Sequence, residues 1–134
     1  MERRYRLAFL FLILAQAAHS IEEYATQLYM IFPPARFVSS LVSNDLAFGF
    51  LVVNTALVTF GFWCWAFPLH SGWRSARGIV LFWTLLELGN GIGHLVLALI
   101  RGAYFPGLAT APLLLLGAGW LAILQVRDAR RPSA

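Results

Sequence analysis

Four long apolar runs, separated by short polar connections, constrain this chain more than any other feature of its sequence. The runs extend over residues 7–31, 45–67, 79–100 and 110–126. Each is close to or above the roughly 18 residues that a helix needs to cross a bilayer. Only 12% of the residues are charged, about half of the fraction usual in soluble domains. The pattern predicts one domain over residues 1–134, an all-α integral membrane four-helix bundle.

The arginines predict how this bundle is oriented. All ten basic residues are arginines, and they lie near or beyond the ends of the apolar runs. Eight fall on one side of the predicted membrane and two on the other: Arg3, Arg4, Arg6, Arg74, Arg77, Arg127, Arg130 and Arg131 against Arg36 and Arg101. The positive-inside rule therefore predicts that both termini and the central connection are cytoplasmic. A nucleic-acid-binding surface would spread its basic side chains along one polar face, so we expect no nucleic-acid partner.

The first run has a second interpretation, as a secretory signal peptide. Its arginines, the apolar stretch 7–14 and the small-residue sequence Ala15-Gln16-Ala17 fit the pattern of such a leader and its cleavage site. Cleavage there would leave three spans and would separate the first helix from the polar residues that follow. Those polar residues can face the interior of a helical bundle only when the first helix is not cleaved off, and this favours four spans.

Polar and ionisable side chains interrupt three of the four apolar runs. They are Gln16, His19, Glu22, Glu23 and Gln27 in the first run, Asn54 in the second, and Glu87, Asn90 and His94 in the third. At a rise of 1.5 Å per residue, His19 lies roughly 18 Å from the cytoplasmic end of its run, Asn54 roughly 20 Å and His94 roughly 22 Å. His19 and Glu23, four residues apart, share a helix face. We therefore predict a buried polar pocket between the first three helices.

Two kinds of chemistry fit such a pocket, and a third interpretation needs none. In the first, the pocket is a catalytic acid/base set formed by His19, Glu22, Glu23, Glu87 and His94, with Asn54 and Asn90 as binding residues. In the second, a divalent metal is held by His19, Glu23, Glu87 and His94, although their spacing departs from the Glu-x-x-His pairs of di-iron bundles. In the third, the polar layer only fixes the packing of the helices.

The segment His19-Ser20-Ile21-Glu22-Glu23 carries a family resemblance. Together with Asn90 and His94 on the later helix, and with Tyr104-Phe105-Pro106-Gly107 followed by Thr110, it resembles the HXXEE family of small bacterial membrane proteins. The resemblance covers most of the chain. It implies a multi-pass protein of the bacterial inner (cytoplasmic) membrane whose function is unknown. Looser similarities to membrane sterol isomerases and lycopene cyclases concern the chemistry alone.

The favoured hypothesis is an intramembrane acid/base enzyme, isomerase- or cyclase-like, that acts on an isoprenoid- or lipid-like molecule. Glu23 with His19 would donate or accept the proton, while Glu22 and Glu87 would tune its affinity for that proton. One alternative is a small binding or transport protein for a ligand or metal, which would need a homo-oligomer because four helices are few. The other is a structural membrane subunit. Membrane lipid is the expected surrounding in each case.

Overall fold

The computed structural model describes residues 1–130, and Arg131 of the predicted cytoplasmic set lies outside them. Within this range the chain forms helices and no strand, which confirms the all-α class. The helices are α1 (Arg3–Ala25), α2 (Leu28–Ile31), α3 (Pro33–Ser40), α4 (Leu46–Cys64), α5 (Ala76–Arg101) and α6 (Ala111–Ala129). A π-helical turn, Trp65–Leu69, extends α4 and contains Pro68.

Among the described residues, three helical segments are long and apolar enough to cross a membrane: Leu46–Leu69, Ala76–Arg101 and Ala111–Ala129. Large apolar side chains remain exposed along them, and Leu99 is 81% exposed. Exposure of such side chains is favourable in the apolar interior of a bilayer and unfavourable in water. Helix α1 is also long, with 23 residues, but it falls outside this set because polar side chains interrupt its apolar sequence.

The first apolar run does not form one continuous helix. Helix α1 ends at Ala25, and Gln27 takes a left-handed backbone conformation, with φ of 57°, before α2 begins. Gln27 is exposed, so it lies outside the buried polar pocket that was predicted from the polar residues of the first three runs. The next connection forms α3, which Pro33 can start because proline suits the first helical position.

Helix α3 packs closely against the beginning of α4. A Cβ atom at Gly49 would lie 2.2 Å from the carbonyl oxygen of Ser39. Only glycine therefore allows the two backbones to approach this closely, and α3 is held against α4 rather than exposed as a free connection.

Helix α1 is the most buried of the long helices and packs against α4 and α6, while α5 packs against α6. One apolar cluster surrounds the first half of α1, where Phe9 meets Trp83 edge-to-face at 6.1 Å between ring centroids. A second apolar cluster, which includes Leu28, Phe50 and Phe105, lies at the other end. The polar side chains of α1 and α5 lie between these two clusters.

The start of α1 and the end of α6 lie at the same end of the bundle. The Arg4 guanidinium lies 2.7 Å from the Asp128 carboxylate, and the Tyr5 hydroxyl donates to the same carboxylate at 2.9 Å. Trp65, in the turn after α4, donates its indole N–H to the Arg6 carbonyl at 3.0 Å. The long helices thus alternate in direction, which places most of the described arginines at one end.

Candidate functional site

Three buried side chains from α1 and α5 meet between the apolar clusters. His19 and Glu23 are one turn apart on α1, and His94 comes from α5; their exposed fractions are 0%, 6% and 5%. Glu23 Oε1 lies 3.3 Å from His19 Nε2 and 3.1 Å from His94 Nε2. The two imidazoles meet edge-to-face, with centroids 4.6 Å apart. We call His19, Glu23 and His94 the His/Glu trio.

The other nitrogen of each imidazole is already hydrogen-bonded, and this fixes the tautomers. His94 Nδ1 lies 2.6 Å from the Pro106 carbonyl, which can only accept, so Nδ1 carries the proton. His19 Nδ1 lies 2.7 Å from Thr110 Oγ1. The Thr110 hydroxyl donates its one proton to Glu22 Oε2 at 2.5 Å, so it accepts from His19 Nδ1–H. When both histidines are neutral, the Nε2 atom of each therefore carries a lone pair and no proton.

Three electron-pair acceptors consequently face one another inside the His/Glu trio. His19 Nε2 is buried and has no hydrogen-bond partner, because its approach to Glu23 is close but not aligned as a hydrogen bond. Ligand atoms about 2.0–2.1 Å from a tetrahedral metal lie about 3.3 Å from one another, close to the separations seen here. The ligand atoms of the trio all lie within 4.8 Å of one another, and no other such group occurs within residues 1–130.

Glu22 points away from the His/Glu trio and holds the connection between α5 and α6. Its Oε2 accepts from the Thr110 backbone N–H at 2.8 Å, and its Oε1 accepts from the Ala109 N–H at 3.0 Å and from the Tyr104 hydroxyl. Burial, followed by the hydrogen bond to Glu22, raises the pKa of Tyr104. Glu22 thus contacts His19 only through Thr110. The sequence pattern had instead predicted Glu22 as a member of the acid/base set itself.

The connection between α5 and α6 covers the two histidines. Gly107, with φ of 90°, lies so close that a Cβ atom would be 2.7 Å from Cε1 of both His19 and His94. Pro106 supplies the carbonyl that orients His94. In the sequence this segment stands out only as part of the family resemblance, and no role could be predicted for Pro106, Gly107 or Thr110. The residue types alone gave no sign that the segment reaches the histidines.

The remaining predicted residues form a second polar cluster, towards the arginine-rich end of α1. Glu87 is fully buried; Gln16, with its amide nitrogen towards Glu87, donates to Oε2 at 2.8 Å, and its amide oxygen lies 3.0 Å from Ser20 Oγ. Asn90 also donates to Glu87, at 3.3 Å. Ser20 Oγ lies 2.8 Å from Asn54 Oδ1 on α4. Glu87 therefore lies outside the His/Glu trio, although it was predicted as a metal ligand.

A groove of about 300 Å³ opens on the outside of the bundle between α1 and α4. Its walls are mainly apolar and include Ile21, Tyr24 and Phe50, while Ser20 and Asn54 bring polar atoms to it. The polar network therefore reaches from the buried Glu87 to a surface that, in a bilayer, would face lipid.

The comparisons with known proteins identify a family and nothing beyond it. No curated protein and no solved structure matches the chain. The model of the family described as "protein of unknown function with HXXEE motif" matches residues 10–121, a range that contains the His/Glu trio, Glu22 and the covering segment 104–110. The motif itself is His19-Ser20-Ile21-Glu22-Glu23, and the chain therefore belongs to the HXXEE family.

Proposed function

We propose that this chain is a membrane-embedded enzyme that holds a divalent transition metal, such as Zn²⁺, with His19, Glu23 and His94. One observation carries the proposal: the Nε2 atoms of two buried histidines lie 3.3 Å and 3.1 Å from one carboxylate oxygen of Glu23. Three acceptors at that distance, one of them a negatively charged carboxylate, repel one another unless a metal ion or a proton lies between them. Two histidines and one glutamate are the ligands of several catalytic zinc sites, in which a fourth position stays open for water or substrate.

The surrounding contacts support a metal centre as well. Ligating histidines usually donate their second ring N–H to a carbonyl or a carboxylate-linked group, which fixes the tautomer. His94 does so to Pro106 and His19 to Thr110, which Glu22 holds in turn. A bound metal would supply a water of lowered pKa, which could act as the base or nucleophile.

The membrane arrangement is part of the same proposal. Helix α1 would be a fourth span, because its polar side chains face the bundle while Leu7, Phe11 and Leu14 are exposed on its outside. The arginine-rich end would be cytoplasmic, together with both termini. The substrate would be an isoprenoid- or lipid-like molecule that binds from the bilayer in the groove between α1 and α4, where Ser20, the residue next to His19 in the chain, lines the wall.

Elemental mass spectrometry of the purified chain after incubation with zinc tests the proposal. We expect one zinc ion per chain in the unmodified protein, and its loss in H19A and in H94A. The matched control is Glu87→Gln, which changes a buried carboxyl group outside the trio and should keep the metal. An unmodified protein that retains no zinc, or H94A that retains a full equivalent, would contradict the proposal.

A metal-free acid/base enzyme is the second candidate, and the same trio supports it. A proton shared between Glu23 and one histidine would also relieve the repulsion between the three acceptors. Glu23 would then donate or accept the proton at the substrate. Both candidates lose activity in Glu23→Gln, but only the metal-dependent enzyme loses activity on chelation and regains it with added zinc. Oligomeric transport and a purely structural role remain alternatives, and both predict an unchanged substrate lipid pool in Glu23→Gln cells.

A further inference from the structure

A second, larger cavity lies at the arginine-rich end of the bundle, far from the His/Glu trio. It has a volume of about 740 Å³ and lies between the start of α1, the turn before α5 and the end of α6. Arg77 and His94 are 17 positions apart on α5, which corresponds to roughly 25 Å along the helix. The cavity is therefore a separate site.

The uncompensated charge of this cavity is positive. Its two acidic side chains share one arginine, since Arg4 lies 2.7 Å from both the Glu2 and the Asp128 carboxylates. Arg74 and Arg77 also line the cavity. Both are exposed, and neither forms an ion pair with another described residue. With Arg4, these arginines outnumber the two carboxylates three to two, and the guanidinium groups of Arg74 and Arg77 can turn to an anion that enters the cavity.

The wall below these arginines is apolar and continues along the outside of α5. Val80 and Leu81 line the cavity, and Leu85, one turn further, is 61% exposed. Trp73 also lines the cavity and is half-exposed, and its amphipathic ring suits the interface between headgroups and hydrocarbon. The site therefore offers a positive rim above an apolar track, which is the complement of an anionic headgroup with a hydrocarbon chain.

We infer that this cavity binds a phosphate-bearing amphiphile, with Arg74 and Arg77 on the phosphate and the hydrocarbon chain along Leu81 and Leu85. Guanidinium groups bind phosphate through paired, charge-assisted hydrogen bonds. The positive end of the bundle is also the end that anionic lipids of the cytoplasmic leaflet would attract. The inference does not depend on a metal at the His/Glu trio.

Native mass spectrometry of the full chain in detergent, titrated with phosphatidylglycerol, tests this inference. The test variant is the double substitution R74Q and R77Q. The matched control is R3Q and R127Q, which removes the same charge at the same end from exposed arginines that do not line the cavity. We expect at least about tenfold weaker binding in the test variant and less than about twofold in the control, because only the test variant loses direct phosphate contacts.

Three results would overturn the inference. Equal weakening in the two double variants, with unchanged circular dichroism, would mean that overall charge and not the cavity attracts the lipid. Phosphatidylcholine bound as tightly as phosphatidylglycerol would remove the requirement for net negative charge. Inorganic phosphate bound as tightly as the lipid would mean that the hydrocarbon chain contributes nothing and that the ligand is a soluble phosphate.

Discussion

Replacement of Gly107 by alanine should damage the site through a single methyl group. That group would lie 2.7 Å from Cε1 of both His19 and His94, about 1 Å inside the usual 3.5–4.0 Å separation of carbon atoms. Gly107 also has a φ of 90°, a conformation that costs a residue with a side chain about 1–3 kcal/mol. The strain and the displaced imidazoles together should lower the free energy of unfolding by about 3–5 kcal/mol.

Gly102 offers a matched control for this substitution. Its φ is 62°, so alanine there is also strained, but nothing lies within 4 Å of the added Cβ. G102A should lose only about 1–2 kcal/mol. Both variants would be unfolded by denaturant in detergent micelles, with bound zinc measured in parallel. Equal losses of stability, with zinc retained in G107A, would refute the view that the segment covers the histidines.

Three further substitutions test the contacts around the site and the fold. T110V removes the acceptor for His19 Nδ1–H and should weaken zinc binding about 10–100-fold, as measured by competition with a chelator; unchanged affinity would argue against this orienting role. In Y104F the free energy of unfolding should fall less steeply above about pH 10 than in the unmodified protein. The raised pKa of Tyr104 gives stability that is present below the pKa of the unfolded state and is lost as pH rises through the pKa of the folded state. Identical pH profiles of the two proteins would contradict that linkage. Gly49→Ala should release α3 from α4 and raise proteolysis after Ser39, whereas a protease-resistant α3 would contradict the close packing seen there.

The long helices and the meeting of α1 with α5 could be predicted from the sequence. Apolar runs of suitable length and the spacing of His19, Glu23 and His94 contain that information, because helical geometry fixes which residues share a face. The break near Gln27 could not be predicted in the same way. No glycine or proline marks it, although Gln27 takes a left-handed conformation that residues with a side chain adopt only rarely.

The different contacts of Glu22 and Glu23 could not be predicted from the sequence either. Adjacent residues on a helix point about 100° apart, so one of them faces the histidines and the other a neighbouring element. Which is which depends on where the segment 104–110 packs, and that is a non-local contact. The same holds for Gln16, Ser20 and Glu87, since their network depends on the distance between α1 and α5.

X-ray absorption at the zinc edge of the zinc-loaded protein tests the central claim most directly, because it measures the ligands themselves. We predict two imidazole nitrogens at about 2.0–2.1 Å and at least one oxygen at about 2.0–2.2 Å, and loss of this signal together with the zinc in H94A. A shell of oxygen atoms alone, or H94A that keeps zinc with the same two-imidazole signal, would contradict a metal centre formed by His19, Glu23 and His94.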